Sequence, residues 1–139
     1  MQLGTFGAIL KYAIEIEDTT SKFYDGLSQK ALENAKGSIC EFSDASKKNK
    51  QTLEKTRRME MQEMILEAIT GIDSTNYEAK FEIPDFAGGA NNAVGIEQKA
   101  SSFYFDASKK LGFLPNAART LERIGKERES RIEKIRAFL

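Results

Sequence analysis

Four stretches of the chain repeat apolar residues every three or four positions, the period of an α-helix, and each is bounded by a recognisable breaker. The first covers about residues 6–34, with Leu10, Ala13, Glu17, Thr20, Tyr24, Leu27 and Ala31 on one stripe. Gly37 closes it. Ser38 and Glu41 then have the spacing of a capping box, opening a second helix over about 39–70 with Gly71 just past its end. Its inward stripe is read as Ile39, Phe42, Ala45, Asn49, Thr52, Thr56, Met59 and Ile65. Periodicity fails over about 71–91, where Asp73, Ser74, Asn76, Pro84, Asp85 and Gly88-Gly89 mark an irregular connection. A short extended piece is expected at 80–83, and a plain turn at Gly88-Gly89. Asn91 or Asn92 caps a third helix over about 92–111, Gly112 stops it, and Pro115 opens a fourth over about 115–138. The stripe of that last helix holds Leu121, Ile124, Arg128, Arg131, Ile132, Ile135 and Leu139.

Two helix pairs with short turns, joined by a connection long enough to run back along a helix of about 30 Å, predict an all-α, ferritin-like four-helix bundle. A single domain over residues 1–139 is expected. An internal repeat agrees. The segments AIEIEDTTSKFY and AVGIEQKASSFY match in register, as do Ser28/Ser108 and Lys30/Lys110, so Glu17 and Glu97 become counterparts.

The informative residues are those that interrupt the apolar stripes. Glu17 lies among Ala13, Thr20 and Tyr24, and Glu97 among Ala93, Ala100 and Tyr104. Arg128 is four residues from both Ile124 and Ile132, with Arg131 beside the same seam, and Asn49 and Thr52 fill the comparable gap on the second helix. A buried charge costs several kcal/mol unless it is paired. The sequence therefore predicts that two carboxylates and two guanidiniums meet inside the bundle, with Asn49 and Thr52 completing the hydrogen bonding. The hydroxyls of Tyr24 and Tyr104 are expected to reach this cluster.

Composition sharpens that picture by exclusion. With no histidine and one cysteine, the chain has no Ser-His-Asp or Cys-His triad, no HExxH zinc site and no disulfide. Lys plus Arg and Asp plus Glu both count 21, for a formal net charge of zero, which leaves no electrostatic footprint for nucleic acid or an anionic membrane. Lys47, Lys48, Lys50, Lys55, Arg57 and Arg58 are balanced by Glu54, Glu60, Glu63 and Glu67, and read as a solvated face with helical ion pairs. Neither a signal peptide nor a membrane span is recognisable, and a cytoplasmic setting is expected. Cys40 is read as buried and inert, and Met59, Met61 and Met64 as packed in the core or a dimer seam.

The two repeated segments resemble the first and third helices of rubrerythrin-like members of the ferritin superfamily. In that family a glutamate six residues before a Phe-Tyr pair is a di-iron ligand; the matching positions here are Glu17, before Phe23-Tyr24, and Glu97, before Phe103-Tyr104. The resemblance also implies a Glu-x-x-His motif on the second and fourth helices. Asn49 and Thr52 stand at the first such pair, and Arg128 and Arg131 at the second. These six positions are thus read as a vestigial metal site, with no cofactor, in a non-catalytic bundle that acts as a binding or scaffold protein and forms a homodimer. Two other readings remain. One is a di-iron or di-manganese oxidoreductase acting on peroxide or oxygen, or a weak single-metal site using Glu17, Glu97 and Glu15 or Glu129. The other is a small anionic ligand held by Arg128 and Arg131.

Overall fold

The computed structural model describes residues 1–61 and 68–139. Its four long helices are α1 (Phe6–Ser28), α2 (Glu33–Met61), α3 (Phe86–Lys110) and α4 (Pro115–Arg136). They form two hairpins, α1 on α2 and α3 on α4, joined by the crossover between α2 and α3. Thr5 starts α1 by accepting from the Ala8 amide at 3.0 Å. Pro115 occupies the first turn of α4.

The first hairpin turns earlier than the sequence suggests. Residues 29–32 make the reversal through bonds from Lys30 N to Leu27 O and from Ala35 N to Leu32 O, both 3.0 Å. Gly37, Ser38 and Cys40 consequently lie inside α2, and Ser38 and Glu41 form no helix start. The reason is packing: only a reversal before Ala35 lets Ala35, Ile39 and Phe42 share a core with Phe23, Tyr24 and Leu27. Cys40 is exposed rather than buried, because it sits on the opposite face from that stripe.

The inward stripe of α2 also differs by one position. Ala35, Ile39, Phe42, Ser46, Asn49 and Leu53 are buried, whereas Ala45, Thr52 and Thr56 are half-buried and Met59 is exposed. The far end expected for this helix, with Met64 and Ile65, lies outside the described residues; 68–70 are not helical, so Gly71 ends no helix there. Its φ of +81° nevertheless uses the left-handed freedom of glycine.

α3 begins at Phe86, capped by Asp85, whose carboxylate accepts from the Gly88 amide at 2.6 Å. Gly88-Gly89 therefore belongs to its first turn rather than to a loop, and neither Asn91 nor Asn92 is a cap. A Cβ at Gly89 would stand 2.5 Å from Leu27 Cδ1, so a larger residue there would have to displace that buried side chain. Within the crossover, Ser74–Tyr77 forms a short 3-10 helix. An isolated antiparallel bridge pairs Gln2 with Asp73, with Leu3 N to Ile72 O and Ile69 N to Gly4 O at 3.0 Å, while residues 80–83 belong to no helix and pair with no strand among the described residues. Among the described residues no helix is long and apolar enough to cross a membrane.

The core is divided. One apolar cluster gathers Phe6, Leu10, Leu53, Phe103, Leu121 and Ile124. The other gathers Phe23, Leu27, Ile39, Phe42, Ile96 and Ile135. Between them lies a layer of buried polar and charged side chains.

Candidate functional site: a buried Glu–Arg network

Glu17 and Glu97 project from equivalent positions of α1 and α3 and are fully buried. Their partners are exchanged between the two repeats: Tyr24 donates to Glu97 Oε1 at 2.6 Å, and Tyr104 donates to Glu17 Oε2 at 2.9 Å. Such reciprocal pairing is what two antiparallel helices of the same sequence pattern produce. The tyrosine hydroxyls reach the cluster, as expected. Burial pushes both phenols well above their ordinary value, and the neighbouring carboxylates push in the same direction.

Arg128 of α4 stands between the carboxylates. Its Nη1 donates to Glu97 Oε1 at 2.8 Å, and its Nη2 donates to Glu17 Oε2 and to Thr20 Oγ1, the latter at 3.0 Å. Burial alone would lower the affinity of this guanidinium for its proton, but Glu17 and Glu97 outweigh it and hold the group firmly charged. Arg131, one turn on, donates from Nη1 to Ser46 at 2.9 Å and from Nη2 to Glu127 Oε1 at 2.8 Å; its Nη1 also lies 3.4 Å from Glu97 Oε1. Its guanidinium carbon sits 5.8 Å from the centre of the Phe42 ring.

Asn49 joins the network, donating to Glu17 Oε1 and Glu127 Oε1, both at 3.1 Å. Thr52 does not. Its hydroxyl donates to Lys48 O within α2, and Leu53 fills the interior position instead. The inward pair on α2 with three-residue spacing is therefore Ser46 and Asn49, matching Arg128 and Arg131 on α4. Sequence reasoning missed Ser46 and Glu127 as partners. Both had a signal: Ser46 lies three residues before Asn49 and Glu127 four before Arg131, the spacings that share a helix face.

Two polar atoms of the network have no hydrogen-bond partner, Glu97 Oε2 and Arg128 Nε. Glu15 and Glu129 are exposed and do not enter the interior.

These residues do not fit a di-iron centre. Such a centre needs several carboxylates, usually with imidazoles, to balance two cations, and here one fixed guanidinium bonds Glu17 and Glu97 while a second, that of Arg131, bonds Glu127. Among the described residues no group of three or more His, Cys, Asp or Glu side chains could hold a metal ion.

The fold is a ferritin-like helical bundle, and it carries an ionic network at mid-length. No protein-family model and no curated protein matches the sequence. A solved structure from Thermotoga maritima, described as a ferritin-like diiron-carboxylate protein, superposes with a TM-score of 0.77 at 18% sequence identity. The alignment covers 97% of this chain and 92% of that one. The likeness therefore extends over the whole bundle, and at that identity it concerns the fold.

Proposed function

We propose that this protein is a non-catalytic, rubrerythrin-like bundle in which the Glu–Arg network takes the place of the di-iron site. It acts as a binding or scaffold protein, as a homodimer, in a cytoplasmic setting and without a resident metal. The observation that carries this reading is Arg128, whose guanidinium bridges Glu17 and Glu97 and, with Arg131 beside Glu97, offsets their charge without a cofactor. The rival reading is a rubrerythrin-like oxidoreductase working on peroxide or oxygen through iron or manganese. It would require the two carboxylates to exchange their arginine for cations that the same arginine repels. Binding of a small anion is disfavoured in a similar way, because the terminal nitrogens of both arginines already have acidic partners.

Elemental analysis after loading with ferrous or manganous ions and exhaustive dialysis tests the proposal. Metal far below one equivalent per chain is expected, with no difference between the wild type and Glu17→Ala. Near-stoichiometric metal that disappears in Glu17→Ala would establish the oxidoreductase reading instead.

A further inference from the structure

A cavity of about 230 Å³ lies outside the polar layer, where the crossover covers α1 and α3. Its base is apolar, formed by buried Ile96 and Ala100 and half-buried Ile16. Ile16 and Ile96 are repeat counterparts, each adjacent in sequence to a network glutamate, so the cavity and the network sit on different sides of the same two helices.

Two aromatic rings line this space, and both are held in place. Tyr12 and Tyr77 each meet Phe103 edge-on, with ring centres 5.0 and 5.4 Å away. Their hydroxyls donate elsewhere, Tyr12 to Ser74 O at 3.3 Å and Tyr77 to Asp106 Oδ2 at 2.6 Å. The partly exposed ring of Phe81 adds a third aromatic surface.

Charge at this site has one sign. Glu15 and Glu78 stand exposed at the mouth, and among the described residues no lysine or arginine lines the cavity. Both carboxylates lie close enough to act on the Tyr12 phenol, which burial raises first and Glu78 and Glu15 raise further.

These features select a ligand class. Aromatic faces and carboxylates both attract cations and repel anions. An apolar base disfavours a strongly hydrated metal ion or a bare ammonium, whose water would have to be stripped without replacement. The volume is smaller than that of the usual drug-sized pocket. We propose that this cavity binds a small alkylated ammonium ion, its cationic head against Tyr12 and Tyr77 and balanced by Glu15 and Glu78. The site is preformed and independent of the Glu–Arg network.

Choline is the probe, with dimethylbutanol as its neutral isostere in which carbon replaces nitrogen. Titration of the 139-residue chain, followed through the tyrosine ring signals by nuclear magnetic resonance, is expected to give saturable shifts at Tyr12 and Tyr77. Tyr24 and Tyr104 should stay still. Glu15→Gln/Glu78→Gln should weaken binding about tenfold, and Tyr77→Leu should abolish it, both with unchanged helical circular dichroism. Should Tyr77→Leu lose its helical signal, the carboxylate variant alone decides, because both glutamates are exposed. Equal binding of dimethylbutanol, unchanged affinity in the carboxylate variant, or no saturation at tens of millimolar choline would each overturn the proposal.

Discussion

At Glu97 a single carboxylate oxygen accepts from Tyr24 and Arg128 and lies 3.4 Å from Arg131, in a side chain with no solvent exposure. Removing it leaves Arg128 and Arg131 facing a cavity with less compensating charge. Glu97→Ala is therefore expected to cost about 3–5 kcal/mol, the usual loss when one partner of a buried pair is deleted. Replacing the group as a unit, Glu17→Gln/Glu97→Gln/Arg128→Met, should cost much less, because the one buried charge that remains, Arg131, keeps its partner Glu127. Urea unfolding measures both, and a loss below about 1 kcal/mol for Glu97→Ala would mean that the network is solvated. Most of this site was legible in the sequence, since Glu17, Glu97, Arg128 and Arg131 each break an otherwise apolar stripe. Ser46 and Thr52 were not distinguishable in the same way: both are small hydroxyl side chains three residues from Asn49, so the spacing admits either, and only the rotation of α2 in the bundle selects Ser46.

Among the elements, α2 departs most from its sequence signals. Its start lies at Glu33, ahead of the apparent capping box, so Gly37 and Ser38 are helical. A Cβ at Gly37 would meet nothing within 4 Å, and Gly37→Ala should stabilise the protein by about 1 kcal/mol through helix propensity. Ser38→Ala should change stability by less than about 0.5 kcal/mol, whereas loss of a true N-cap costs about 1 kcal/mol. Thermal unfolding of the two variants separates these cases, and the reverse order of effects would restore the later helix start. Gly125 offers the contrast, because a Cβ there would stand 3.1 Å from both Tyr104 Cβ and Phe105 Cε1. That contact belongs to the α3–α4 crossing, and Gly125→Ala should destabilise despite the better propensity of alanine.

On the scale of the whole molecule, the polar layer divides two apolar clusters and ties all four helices together, so network and fold should be lost as one unit. Tyrosine ionisation reports this. Tyr24 and Tyr104 are raised well above 10, burial being the main cause, and Tyr12 and Tyr77 are raised as well. The folded phenols keep their protons to higher pH than the unfolded ones, so unfolding releases protons in alkali. Stability is accordingly at its full value below about pH 10 and falls as the pH rises beyond it. Phenolate absorbance from Tyr24 and Tyr104 should appear together with the loss of helical circular dichroism. Ionisation of both near pH 10 with the helices intact would contradict their place in the network.

The sequence by itself determined the four helices, the long crossover and the repeat that makes Glu17 and Glu97 counterparts, because hydrophobic period and internal similarity are local properties of the chain. Tertiary structure decided where α2 and α3 begin, since burial of Ala35 and Ile39 outweighs a local glycine, and Asp85 can cap a turn containing two more. It also decided which polar side chains meet. The exchange of tyrosines between repeats, the place of Arg128 between two carboxylates and the choice of Ser46 over Thr52 depend on how helices distant in sequence are rotated against one another. No local pattern encodes that rotation; the packing of the two apolar clusters on either side of the network sets it.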